Sequence, residues 1–185
     1  MIRVAGMFFV VIAIAGGLGA GAYAVSGALQ GRGEPPQTKA FHAHLNGDQE
    51  TPSVSSTGFG DFRADLVDDN TLHYVFTYGA LEGGNSLFAH VHFGTRYVAG
   101  GVSFFLCGGS TKPDPCPNVE GTVEGDVTAA DVIGPNGQGI EPGSFDEIVR
   151  AMRAGTAYVN IHTTRWPGGE IRGQINNDDQ KTFDK

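Results

Sequence analysis

The sequence predicts a mainly β, antiparallel fold of the sandwich or barrel kind, with one short helix and a hydrophobic N-terminal segment ahead of it. Three observations predict it. Roughly eight short runs alternate apolar and polar residues with period two, the signature of half-buried strands. Turn residues separate them, in a chain of 185 residues that holds 29 glycines and 9 prolines. Only one stretch has helical spacing instead. Many short strands with such punctuation favour an antiparallel sandwich or barrel over a bundle.

In chain order, the first element lies before the folded domain. Val4 to Leu29 carries no charge and follows Arg3, and it is longer than the roughly 20 apolar residues that span a bilayer. It is read as a single transmembrane anchor over residues 1–29, with Arg3 on the cytoplasmic side. A cleaved signal peptide is the other reading, since Ala22-Tyr23-Ala24 has the small-x-small form of a cleavage site. Gly17 and Gly21 stand four apart, the small-xxx-small spacing that lets a second helix approach closely in lipid. Residues 30–39, QGRGEPPQTK, form a linker that Pro35-Pro36 stiffens. The folded domain is expected over 40–176, and 177–185 is a polar tail.

Within the domain, Phe41-Ala43-Leu45, Phe62-Ala64-Leu66 and Leu72-Tyr74-Phe76-Tyr78 each mark one face of a strand. Further strands are expected over Leu87–Phe93, Val102–Cys107, Thr122–Thr128, Ala157–Thr163 and Ile171–Ile175. The helix starts at Ser144, where Glu147 three residues on predicts a capping box. Phe145, Ile148, Val149 and Met152 form its apolar stripe, and Gly155 is placed to end it in a left-handed conformation. Such a helix suits the end or edge of a sandwich.

Charge narrows the function. Twelve basic against twenty acidic residues leave a net charge of −8, which argues against a nucleic-acid binder. Cys107 and Cys116 close a short loop, and outside the cytoplasm such a pair is expected to form a disulfide. Its spacing is not that of a thioredoxin-type redox pair.

The sharpest chemical signal is histidine. His90 and His92 are two apart on one strand and so share a face. His162 lies on another strand, with Tyr158 and Asn160 on its face. Three imidazoles on adjacent strands can hold copper or zinc. Asn160, Tyr158 and Glu170 are the residues expected to hold the rings in place. The alternative is that backbone carbonyls and these same side chains simply pin three buried histidines. His42 and His44 form a second, less favoured pair near the start of the first strand, and Asp126 and Asp131 have no recognised calcium-loop spacing. No nucleophile elbow, zinc-protease helix, P-loop or dinucleotide fingerprint is present, so no catalytic residue is assigned.

Four segments resemble a known family. Phe41-His42-Ala43-His44-Leu45-Asn46-Gly47-Asp48-Gln49-Glu50-Thr51-Pro52 is similar to the opening of a CHRD (chordin-type) domain, and Ala89-His90-Val91-His92-Phe93-Gly94 to its central motif. Tyr158-Val159-Asn160-Ile161-His162-Thr163 and Gly168-Gly169-Glu170-Ile171-Arg172-Gly173-Gln174-Ile175 are similar to its closing motifs. The resemblance is to the bacterial type of domain, here with an N-terminal membrane anchor. It implies an immunoglobulin-like antiparallel β-sandwich outside the cytoplasm and places His90, His92 and His162 on motif positions.

The resulting expectation is a non-enzymatic binding or structural module. It is anchored by one span in the cytoplasmic (inner) membrane, with its domain in the periplasm or extracellular space, and is secreted if the leader is cleaved. It would serve as an accessory subunit that stabilises a larger membrane complex, such as an electron-transfer or photosynthetic one, with membrane protein subunits as partners. The alternative is a periplasmic module that binds copper or zinc. A superoxide dismutase-like enzyme is a third reading, which the fold alone does not carry.

Overall fold

A computed structural model describes residues 38–177. The expected anchor, Gly17 and Gly21, most of the linker and most of the tail lie outside them. Among the described residues no helix is long and apolar enough to cross a membrane.

Among the described residues nine strands and one α-helix form. They are β1 (Ala40–Asn46), β2 (Phe59–Asp68), β3 (Thr71–Gly79), β4 (Ser86–Phe93), β5 (Gly101–Cys107), β6 (Gly121–Val127), α1 (Phe145–Arg153), β7 (Ala157–Thr163), β8 (Ile171–Gln174) and β9 (Asn176–Asn177). Each run expected from period-2 alternation is a strand. In β1 to β3 every second residue is buried and its neighbours face outward.

All pairings are antiparallel, and the strands join into a single sheet of order β5-β4-β7-β8-β1-β2-β3-β6, with β9 on β1. The strand pattern predicts a sandwich or barrel, and the family resemblance implies the sandwich, two facing sheets of immunoglobulin type. The structure instead links the two halves into one sheet that curls almost into a barrel. The physical reason lies in residues 171–177. β8 pairs with β7, Ile175 donates its backbone N–H to Ala157, and β9 then pairs with β1. One stretch of chain thus passes from one half to the other, and β8 meets β1 at the single pair Asn46–Arg172.

At the opposite side the two edge strands approach each other without a ladder between them. From β3, the neighbour of the edge strand β6, the Tyr74 hydroxyl donates to the Leu106 carbonyl on β5, 2.8 Å away. The Cys107–Cys116 disulfide forms, with both residues buried, and ties the end of β5 to the loop leading into β6. The interior is one apolar core shared by both halves.

α1 buries Phe145, Ile148, Val149 and Met152, as its spacing predicts, and Gly155 follows it at φ +66°. The capping box does not form: the Ser144 side chain makes no capping hydrogen bond.

Candidate metal centre

The centre lies on the outer side of the β5-β4-β7-β8 half. Alternation directs Ala89 and Val91 of β4, and Val159 and Ile161 of β7, into the core. His90, His92, Tyr158, Asn160 and His162 therefore face the other way. The register sets Phe88 opposite His162, His90 opposite Asn160, and His92 opposite Tyr158. Across four strands one row reads Phe105, His90, Asn160, Arg172.

An outward face is ordinarily exposed, yet these histidines are 3–8% exposed. The connections β4–β5 and β7–β8 fold back over them, each through a hydrogen bond. His92 Nδ1 lies 2.8 Å from the Gly100 carbonyl oxygen, and His162 Nδ1 lies 2.9 Å from that of Pro167. The Gly100 N–H in turn donates to the Tyr158 hydroxyl. Gly100 is required there, because a Cβ would strike the Phe93 carbonyl. Arg172 holds the same β4–β5 loop by donating to the carbonyls of Thr95 and Val98, at 3.1 and 3.0 Å.

These bonds fix the tautomers. A carbonyl only accepts, so Nδ1 of His92 and of His162 carries the hydrogen and Nε2 is left with a bare lone pair. Both Nε2 atoms are buried without a partner, as is Nδ1 of His90. One ligand atom from each of the three rings falls within 4.8 Å of the others. Nitrogens bonded to one zinc or copper ion at about 2.0–2.1 Å stand no more than about 4.2 Å apart. Three nitrogens on one ion in trigonal or tetrahedral geometry stand about 3.3–3.6 Å apart, so binding draws the widest pair together by about an ångström.

The surroundings keep the imidazoles neutral. Burial, and then the two neighbouring rings, push His90 down to about 2. Burial pushes His92 down to about 4, against the Gly100 hydrogen bond, and it lowers His162 as well. Neutral imidazole is the form that ligates metal. Phe88 packs against His90 and His162, with ring centroids 5.2 and 4.7 Å away. Tyr158 stacks on His92 at 4.5 Å, and the Arg172 guanidinium lies 3.4 Å from the Tyr158 centroid.

Of the three residues expected to hold the rings, two do so by position. Tyr158 stacks on His92, and Asn160 stands opposite His90 with its Oδ1 buried and unpartnered. Glu170 does not. Its carboxyl is fully buried elsewhere and accepts hydrogen bonds from Ser56, Thr163 and the backbone N–H groups of Glu82 and Gly83. It is a structural hub that pins two loops to β7 and β8.

Sequence reasoning missed Glu50, Phe88, Phe105 and Arg172. Glu50 is buried, bonds Asn160 Nδ2 at 3.4 Å, and is pushed up to about 6 by burial. Gly169, at φ +123°, admits it, since a Cβ there would strike the Glu50 carboxylate. Alternation over Ile171–Ile175 puts Arg172 on the outward side, but only the pairing of β8 with β7 brings it to the histidines.

The other candidates separate from this cluster. His44 lies exposed and pairs with Asp61 at 2.8 Å, and His42 and His44 join no group of metal-ligating side chains among the described residues. Asp126 pairs with His73, while Asp131 caps its own turn and bonds Lys112.

The family model of the CHRD domain matches residues 41–175. The chain belongs to the CHRD domain family. No curated protein and no solved structure gives a match. The matched span holds the whole centre of this CHRD domain, from Glu50 on the loop after β1 to Arg172 on β8.

Proposed function

We propose that this CHRD domain is a non-catalytic metal-binding module, taking one copper or zinc ion through His90, His92 and His162. The observation that carries the reading is the convergence of three buried imidazoles, one ring nitrogen of each within 4.8 Å of the others, where every ring also has a buried nitrogen with no hydrogen-bond partner. A buried polar atom left unsatisfied costs about 1–3 kcal/mol, and a metal ion satisfies all three at once. The carbonyl bonds at His92 and His162 also match how ligating histidines are oriented, by donating the ring N–H that faces away from the metal.

The Cys107–Cys116 disulfide supports a place outside the reducing cytoplasm, with the domain tethered through residues 1–29. Titration of the purified chain with Cu²⁺ and Zn²⁺ tests the reading: one ion per chain is expected, and none with His90→Ala/His162→Ala. Equal binding by the double variant would refute it. A second reading, an accessory subunit of a membrane complex, has the Gly17–Gly21 spacing in its favour. Gentle detergent extraction followed by identification of the co-purifying chains tests that reading.

A further inference from the structure

We propose that the ion this centre is built to select is monovalent copper. The inference rests on the metal-binding reading above and adds a choice between ions.

The first argument is charge. The ligand set is three neutral imidazoles, and among the described residues no aspartate, glutamate or cysteine joins them. Both cysteines are in the disulfide. A zinc ion here would keep its full double charge in a buried site. The solvation cost of a buried ion grows with the square of its charge, so a dication costs about four times what a monocation does.

The second argument is the field around the rings. The Arg172 guanidinium and the His92 ring both pack on Tyr158, so a cation at His92 meets the field of a guanidinium close by. The Glu50 carboxyl, bonded to Asn160 and to the Thr51 N–H, interacts with Arg172, but burial raises it to about 6, so it offsets the guanidinium only in part.

The third argument is coordination number. Zinc takes four ligands, so three protein ligands leave it needing a water. Here Phe88 packs against His90 and His162, and Phe105 against His90, so the flanks of the site are apolar and offer such a water no hydrogen-bond partner. Cu⁺ has no need of it, because a soft d¹⁰ monocation is satisfied by three nitrogens in a plane.

Competition on the full chain in detergent, without oxygen, decides the matter. Cu⁺ is supplied as its bicinchoninate complex and Zn²⁺ with a chromophoric chelator. The chain is expected to withdraw one Cu⁺ and to hold it on the order of 100-fold more tightly than Zn²⁺. Phe88→Asp sets a carboxylate beside His90 and His162 without removing a ligand. It is expected to raise the Zn²⁺ affinity on the order of 100-fold and to narrow the gap. Zn²⁺ held as tightly as Cu⁺ by the wild type overturns the inference and leaves the metal-binding function standing. Preference unchanged by Phe88→Asp also overturns it. Failure of both ions to bind overturns the function and the inference together.

Discussion

His73 on β3 and His92 on β4 both point to the outer side of one sheet, and their surroundings make them opposites. His73 is half-buried and open to solvent, and the Asp126 carboxylate 2.8 Å away raises its pKa, with Glu124 adding to the effect. His92 is covered, stacked on Tyr158 and pushed down to about 4. The same contrast runs through the two halves. β1, β2 and β3 bury one face and wet the other, whereas every residue of β7 and β8 is buried. On the first half a polar outward residue is solvated and does little for stability. On the second, loops have closed over the outward face, so each polar residue there needs a partner or is left with a free valence. The histidines are among those left with one, beside Asn160 Oδ1, Gln174 Oε1 and the Ser86 and Ser103 hydroxyls.

The largest effect should come from cutting a polar hub on the covered half. Glu170→Ala leaves four donors without their acceptor and is expected to cost about 3–5 kcal/mol in denaturant unfolding. The matching change on the open half, Glu124→Ala, should leave the midpoint where it is. A comparable loss at Glu124 would break the comparison.

Next is ligand removal. His162→Ala is expected to weaken metal binding on the order of 100-fold, about 2.7 kcal/mol, while His44→Ala does not change it. Cys107→Ser unties the edge of the covered half from the loop before β6 and should lower stability by about 2–3 kcal/mol. Thiol labelling of the unreduced, denatured wild type should find no free cysteine.

Acid sharpens the contrast. His90, His92 and His162 have folded values below the unfolded 6.5. Their contribution is full above pH 6.5 and is lost as pH falls toward 4, because the unfolded chain then binds more protons. Glu50 works against them. Its folded value, raised from 4.5 to about 6, gives stability that is present below 4.5 and fades as pH rises through 6. Three groups outweigh one, so the metal-free protein should lose about 1–2 kcal/mol per pH unit between pH 6 and 4.5. The smallest effect is at His73, where His73→Asn should leave this profile unchanged.

The strands were legible because alternation reports which residues face the core, and Phe41-Ala43-Leu45 or Leu72-Tyr74-Phe76 do so without exception. The strand order was not legible, since periodicity says nothing about neighbours. Residues 171–175 read as one strand with a tail after 176, and only pairing shows that 171–177 bridge the halves. The H-x-H spacing put two histidines on one face, and the three did converge. The covering of that face depends on loop hydrogen bonds at Gly100 and Pro167 that leave no mark in the local pattern. Glu170 was misplaced for a related reason. It precedes β8 and turns toward Ser56 and Gly83, which are distant in sequence.

X-ray absorption at the metal edge of the copper-loaded full chain tests the central claim most directly. Three nitrogen ligands at about 2.0 Å, with outer-shell scattering of imidazole rings, are the predicted result. A first shell of oxygen without imidazole scattering, or a spectrum unaltered in His90→Ala/His162→Ala, would contradict it.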